Sequence, residues 1–244
     1  MKKNCLLCFL LFFSCHSALA GESLDSLLNV LDKTIKEADT YVQIKENKLH
    51  ELKKEARKTP PFSVERYNLN NDIYLEYKAY SSDSALHYLN ENMLLARQLN
   101  DKERELKIQL ELSYLLSSIG MYMEAADILN SIDRQTLPSS LLGHYYTCYE
   151  HVYFEAGAAQ PRYKMFASRY VKLSHAYRDS MQITLDPSSA TYLWLRETQL
   201  REAGKYDEAL EFSDRRLAES SFGTPQYALV AYQRFRLFES MGKK

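Results

Sequence analysis

The chain has 244 residues, of which 45% are apolar, and it contains only seven Gly and six Pro. This length suits one elongated domain or two small compact ones, and the scarcity of Gly and Pro favours helices over an all-β or loop-rich fold. The formal net charge of −1 does not favour binding to nucleic acid or to an anionic membrane surface.

The first twenty residues, MKKNCLLCFLLFFSCHSALA, are predicted to be a signal peptide (1–20). Two lysines precede a nine-residue apolar stretch (5–13), which is too short to span a bilayer, since a spanning helix needs about 20 residues. Residues 18–20, Ala-Leu-Ala, match the small-x-small cleavage pattern, so the mature chain is expected to begin at Gly21. The alternatives are lipid attachment at Cys15 and a buried N-terminal helix.

Cleavage after residue 20 changes the charge and the cysteine count. It removes two lysines and no acid, which leaves 29 basic against 32 acidic residues and a net charge of −3. Of the four cysteines only Cys148 remains, so the exported protein is predicted to have no intramolecular disulfide. We expect the mature domain to face the periplasm.

Residues 21–58 are predicted to form a long charged helix, which the prolines at 60 and 61 terminate. Apolar residues recur at alternating steps of four and three, with one polar interruption, as in a heptad seam: Leu24, Leu28, Leu31, Ile35, Ala38, Val42, Leu49 and Leu52. Two interpretations remain open, a helix that caps its own domain and an intermolecular coiled coil that would make a homodimer.

The rest of the chain is predicted to fold as helices in pairs, without a convincing strand. Asp, Gly and Pro residues mark the boundaries. The predicted helices lie near 62–79 and 82–99, 101–118 and 121–132, 139–156 and 161–183, 187–203 and 206–219, and finally 225–241.

The pairs repeat one motif at the corner between their helices. SSIGMYMEAADIL (117–129) and LREAGKYDEALEF (200–212) both contain a helix-ending Gly, then an aromatic residue and Glu-Ala. Gly242 repeats the Gly, and Gly157 is a looser relative; the four glycines are 37, 47 and 38 residues apart. A recurring helix–turn–helix unit predicts a solenoid.

This Gly-x-Tyr-x-Glu-Ala corner resembles the tetratricopeptide repeat, and the resemblance covers residues 62–244. It implies an all-α, right-handed solenoid of helix pairs, in which each pair consists of a helix A followed by a helix B. The glycine ends helix A, the aromatic residue packs on the turn, and the alanine lets helix B approach helix A closely. These turn roles fall on Gly120, Tyr122, Ala125, Gly204, Tyr206 and Ala209. The position seven before each glycine is small in the family, whereas here it is Ser113, Glu150, Glu197 and Phe235, so the repeats are degenerate.

A narrower resemblance involves the order of the segments. A leader, a charged helix and the stretch YNLNNDIYLEYKAYSSDSALHYLNENMLLARQLND (67–101) resemble the N-terminal half of membrane-bound regulators from gut anaerobes. In that family a periplasmic tetratricopeptide sensor precedes a transmembrane helix, a cytoplasmic coiled coil and a helix-turn-helix DNA-binding region. No apolar run of 18 or more residues follows residue 20 here, so any membrane helix is expected in missing C-terminal sequence.

The last predicted helix carries apolar residues on more than one side, whereas a solenoid normally ends on a polar-faced cap. We therefore expect the chain to be truncated within its last repeat and to be a fragment of a longer protein. The alternative is a naturally short protein with an irregular end.

No catalytic or metal-binding pattern emerges. His144, Cys148 and His151 share one helix face, but the outer two lie about 10 Å apart along the axis, too far to share one ion. The alternative is a site made by two of the three with a ligand from elsewhere in the chain. Nucleophile, phosphate-loop and zinc-protease motifs are absent from the sequence. We predict a protein that is not an enzyme, needs no cofactor and binds no nucleic acid through this region.

The tetratricopeptide resemblance also implies a ligand groove, lined by helix A at positions thirteen, ten, six and three before the turn glycine. With Tyr80 in the place of the first glycine, the proposed groove residues are Tyr67, Tyr74, Tyr77, Lys107, Tyr114, His144, His151, Trp194, Arg201, Tyr232 and Arg236. Aromatic and basic side chains are typical of recognition surfaces. The alternative is that many of these rings pack between helices.

Together these patterns predict a periplasmic sensor that binds a protein, a peptide or a small ligand in a concave groove and acts through a membrane segment outside the chain. The alternative is a free-standing exported scaffold, or a surface-tethered binding module in glycan uptake.

Overall fold

The computed structural model describes residues 32–33, 35–159 and 162–242, and this part of the chain is helical and contains no strand. Its ten helices are α1 (Ala38–Ala56), α2 (Val64–Tyr77), α3 (Ser82–Gln98), α4 (Lys102–Ser118), α5 (Tyr122–Asn130), α6 (Ser139–Ala158), α7 (Lys164–Thr184), α8 (Ala190–Glu202), α9 (Tyr206–Ala218) and α10 (Pro225–Ser240). The chain divides into two compact units, residues 1–54 and 55–244.

The first unit contains most of α1, with an acidic residue in its first turn and lysines in its last, as the helix dipole favours. The predicted signal peptide, the start at Gly21 and the first three leucines of the seam lie outside the described residues. Within them, Ile35 and Val42 are exposed and Leu49 is buried. The extent of the predicted helix 21–58 and its capping or dimeric role therefore stay predictions.

The second unit is a solenoid of helix pairs: α2 with α3, α4 with α5, α6 with α7, α8 with α9, and then α10. Each pair packs on the next because the second helix of a pair also contacts the first helix of the following pair. The observed helices lie within a few residues of the predicted ones. Ser63, Ser81, Asp101, Ser189 and Thr224 cap their helices by accepting a backbone N–H with their side chains.

The turn glycines adopt the left-handed conformation that ends a helix. Gly120 has φ +90° and Gly204 has φ +74°. The next residue in each case donates its N–H to a carbonyl five residues back at 2.9 Å, which is the Schellman arrangement. Asn100, with φ +52°, ends α3 in the same way. The motif alanines, Ala125 and Ala209, are fully buried.

Two expectations about helix ends are wrong. Gly157 does not end a helix, since α6 continues through it to Ala158. A Cβ at Gly157 would lie 3.4 Å from the Cβ of Tyr170 on α7, which is an ordinary van der Waals contact, so the packing of α7 does not require a glycine here. Tyr80 is no equivalent of a turn glycine either, because Asn100 alone among the described non-glycine residues has a positive φ.

The main core surrounds α6. Leu110 and Leu129 from the preceding pair, Met181 from α7 and Leu195 from α8 pack against this helix. Several of its tyrosines belong to the core; the ring of Tyr149, for example, stacks at 4.6 Å on the ring of Tyr177. A smaller core joins α8, α9 and α10.

Candidate functional site: a polar and aromatic cluster on α2, α4 and α6

The three predicted groove tyrosines of α2, Tyr67, Tyr74 and Tyr77, are buried. The guanidinium of Arg104 lies 5.2 Å from the ring centroid of Tyr67, and Lys78 Nζ lies 5.6 Å from that of Tyr74. Tyr77 stacks on two neighbouring tyrosines. At this end of the solenoid the rings therefore contribute to packing, and charged side chains cover them.

Glu111 on α4 connects the first helices of three successive pairs. Its Oε2 accepts a 2.6 Å hydrogen bond from the Tyr74 hydroxyl and a 3.0 Å hydrogen bond from Lys78 Nζ. Its Oε1 lies 3.5 Å from Nε2 of His144 on α6. We call Tyr74, Lys78, Glu111, Tyr114, Ser118, His144 and His151 the α2–α4–α6 cluster.

A stacked pair of rings on α4 and α6 belongs to this cluster. Tyr114 and His151 are parallel within 9°, and their ring centroids are 4.0 Å apart. Lys78 Nζ lies 4.5 Å from the Tyr114 centroid, and Ser118 Oγ lies 2.9 Å from His151 Nε2. Both rings are half-buried, so they retain exposed area that a ligand could contact.

Burial and neighbouring charges determine the protonation states of Glu111, His144 and His151 near neutral pH. Burial would raise the pKa of Glu111. The charge of Lys78, the charge that His144 carries when it is protonated, and the hydrogen bond from the Tyr74 hydroxyl outweigh burial, so the pKa is lowered. Burial, with a contribution from Lys78, lowers the pKa of His151 to about 4. Burial also lowers the pKa of His144, against the opposing effect of Glu111. The carboxylate is therefore ionised and both imidazoles are neutral.

The surroundings of Cys148 bear on the predicted absence of nucleophilic and metal chemistry. Cys148 is fully buried and directs its thiol at the Leu110 carbonyl oxygen, 3.3 Å away. Burial raises the pKa of this thiol well above its usual value, which disfavours the reactive thiolate. Within the described ranges no three His, Cys, Asp or Glu side chains form a group that could hold a metal ion.

The remaining predicted groove residues lie on three helices. Lys107 on α4 is exposed, Trp194 and Arg201 on α8 are half-buried, and Trp194 packs against the α6-centred core. Tyr232 and Arg236 on α10 are exposed. The structure brings Tyr114, His144 and His151 together, and the others continue along successive first helices of the pairs.

Two buried ion pairs explain why glutamates occupy positions that are small in the repeat. Glu150 on α6 accepts a 2.8 Å hydrogen bond from Arg178 on α7, which also reaches Glu202 on α8. Glu197 on α8 pairs in the same way with Arg216 on α9, whose guanidinium also donates to Gln233 on α10.

Each arginine thus connects both helices of its own pair to the first helix of the next. In the pair α4–α5 the small residue is kept, and the hydroxyl of Ser113 donates to the Ala125 carbonyl at 2.9 Å. Sequence reasoning missed both arginines, although the unexpected glutamates at the small positions were a signal that a cation lies opposite them.

Antiparallel helix pairs, left-handed turn residues and buried motif alanines define a tetratricopeptide-repeat domain. The family described as the SusR N-terminal TPR domain matches residues 35–244. The match spans most of the chain, so the protein belongs to this family, and it resembles the sensor half of SusR-type regulators. No curated protein matches the chain. None of the helices in the described residues is long and apolar enough to cross a membrane.

Proposed function

We propose that this domain is a non-catalytic sensor: it binds a protein, peptide or small ligand along the first helices of its pairs and transmits binding to a membrane-bound regulator. Family membership supports a role as a regulator's sensor or binding domain, because the family is that of an N-terminal repeat domain of SusR. Tetratricopeptide repeats serve generally as interaction scaffolds without catalytic activity.

One observation carries the proposed binding surface. Half-buried or exposed aromatic side chains occupy the predicted groove positions on successive first helices: Tyr114 on α4, His151 on α6, Trp194 on α8 and Tyr232 on α10. Arg201 and Arg236 accompany them at the ends of α8 and α10. Amphipathic rings with guanidinium donors provide apolar area and hydrogen bonds at a small entropic cost.

The proposed compartment rests on the sequence of residues 1–20, which has the features of a cleaved export signal. N-terminal sequencing of the protein from a periplasmic fraction tests it. A chain that begins at Gly21 is expected. A chain that still begins at Met1 would contradict cleavage of this signal and favour a cytoplasmic protein. A lipid-modified Cys15 would contradict cleavage after residue 20 and favour an exported, surface-tethered protein.

The binding role is tested by titrating the small-molecule and peptide fractions of a periplasmic extract against the purified chain. A ligand that binds only the folded state raises its melting temperature. Tyr232→Ala should remove that increase, because Tyr232 is exposed and contributes little to the core. Phe222→Ala, a similarly exposed aromatic in the turn before α10, is the control. If the ligand raises the melting temperature of both variants equally, the binding site lies outside the predicted groove.

A further inference from the structure

The first half of α7 is strongly basic, although the whole chain is not. Between Glu155 and Asp179 the sequence contains no acidic residue. Four basic residues in this stretch, Arg162, Lys164, Arg169 and Lys172, are exposed. We call residues 162–172 the α7 tip.

Large apolar side chains protrude from the same segment. The exposed fraction is 63% for Tyr163, 75% for Met165, 48% for Phe166 and 43% for Val171. The buried side of α7 is formed elsewhere, by Ser174, Arg178 and Met181. Val171 also lies against Gly157 on α6. Tyr163, Met165 and Phe166 project into water, and folding of the domain does not account for their exposure.

The ion pairs of α7 in the described residues lie away from its tip. In the described part of the chain, none of the ion pairs includes Arg162, Lys164, Arg169 or Lys172. Arg178, further along the same helix, does pair with Glu150 and Glu202. The charge of the tip is therefore available to an external anionic partner.

We propose that the α7 tip docks on the surface of an anionic bilayer. Aromatic and Met side chains partition into the boundary between headgroups and acyl chains, while Lys and Arg beside them attract anionic headgroups. A bilayer fits this surface better than an acidic protein because side chains that are half to three-quarters exposed protrude, and a fluid interface can cover a protrusion without a matching cavity.

This proposal does not depend on the proposed groove function. The tip lies on α7, the second helix of its pair, whereas the predicted groove residues lie on the first helices. Docking of the tip would hold the domain against a membrane surface, whether or not a ligand occupies the groove.

The depth of the tip in a bilayer can be measured at one residue. In the full chain with Trp194→Phe, which removes the native tryptophan, Tyr163→Trp mixed with vesicles of phosphatidylglycerol and brominated phosphatidylcholine should show a blue-shifted emission that the bromine atoms quench. Phe222→Trp, with the same Trp194→Phe replacement, is the matched control, because Phe222 is also aromatic and 81% exposed but lies in the turn between α9 and α10. The apolar leader at residues 5–13 could bring any variant to a vesicle, but it would not bury residue 163 in particular.

The electrostatic part of the proposal is tested by charge reversal. Arg169→Glu combined with Lys172→Glu should lower the partition coefficient on phosphatidylglycerol vesicles by at least about tenfold, since each basic residue near the surface contributes roughly fivefold. Lys58→Glu combined with Arg97→Glu changes the net charge equally at exposed positions elsewhere and should change partitioning by less than about twofold. Raising the salt concentration should weaken binding of the parent chain.

The proposal is overturned if the bromine atoms quench the Tyr163→Trp variant no more than the Phe222→Trp variant, or if both double variants lower partitioning equally. It is also overturned if poly-glutamate shifts the emission of the Tyr163→Trp variant whereas vesicles do not, because the tip would then recognise an acidic polypeptide. Far-UV circular dichroism and the melting temperature should be the same in every variant, which would show that none of these outcomes results from unfolding.

Discussion

The Tyr74 hydroxyl donates a 2.6 Å hydrogen bond to the Glu111 carboxylate, and this bond connects the first helix of one pair to the first helix of the next. Glu111 simultaneously accepts from Lys78 and faces His144. One side chain of α4 thus ties together α2 and α6. Because these helices also carry predicted groove positions, the stability of the solenoid and the shape of the proposed binding surface depend on the same contacts.

Replacing Glu111 with Gln should destabilise the fold by about 2 kcal/mol, because Lys78 and the Tyr74 hydroxyl would lose their ionic acceptor in a half-buried site. Urea denaturation monitored by circular dichroism gives the free energy of unfolding. Glu208→Gln is the control: Glu208 pairs with Lys205 at an exposed position, where ion pairs contribute little. Equal effects of the two substitutions would show that Glu111 is no connecting residue.

The histidines predict how stability changes with pH. Burial lowers the pKa of His151 from 6.5 to about 4, and that of His144 is also lowered. A lowered pKa means that the folded state prefers the neutral ring. This stabilisation is therefore fully present above pH 6.5 and is lost as the pH falls towards 4. The pKa of Glu111 is lowered too, so its contribution is lost as the pH falls below the ordinary carboxyl value of 4.5.

The urea concentration at the midpoint of unfolding should therefore decrease as the pH is lowered from 6.5 to about 4. His151→Phe keeps a ring beside Tyr114 but removes a titrating group, so it should flatten this part of the profile. His87→Gln, at an exposed histidine on α3, should leave the profile unchanged. A profile that is identical in the parent and in His151→Phe would contradict the assigned role of His151.

The helices could be predicted from the sequence because apolar periodicity and breaking residues are local signals. The errors at Gly157 and Tyr80 have a different origin. A glycine in the sequence does not show whether the backbone there is left-handed, and α6 continues through Gly157 to Ala158. Tyr114 and His151 both lie six residues before a glycine, and their rings stack in the structure.

The contacts of Lys78 and Glu111 could not be predicted in the same way. They join residues 33 to 37 positions apart that belong to different pairs, and no repeat motif includes them. The burial of Tyr74 follows from the same contacts, because Glu111 accepts a hydrogen bond from its hydroxyl and Lys78 lies over its ring. Side chains that cross from one pair to the next therefore decide which predicted groove positions stay accessible.

The two buried arginines should behave as paired charges. Arg216→Met alone leaves Glu197 buried without its cation and should cost about 3–5 kcal/mol of unfolding free energy. Combining it with Glu197→Leu should recover much of that loss, because the desolvation penalty of both ions disappears. A double-mutant cycle in urea measures the coupling. Arg215→Met, at the exposed neighbouring residue, is the control and should cost less than about 0.5 kcal/mol.

Trp194 distinguishes the binding surface from the core. It is half-buried on α8, next to the fully buried Leu193. As the single tryptophan of the chain, it reports its own accessibility, and acrylamide should quench it to an intermediate degree.

If Trp194 belongs to the groove, Trp194→Ala should weaken ligand or partner binding by about 2 kcal/mol and leave the chain folded, as for an aromatic hot spot. Leu193→Ala provides the core reference, with an expected loss of about 2–5 kcal/mol of stability. A Trp194 that acrylamide cannot reach, together with a loss of stability as large as that of Leu193→Ala, would make it a core residue. The proposed groove would then consist of the more exposed Tyr232 and Arg236 on α10 and the ring pair of Tyr114 and His151.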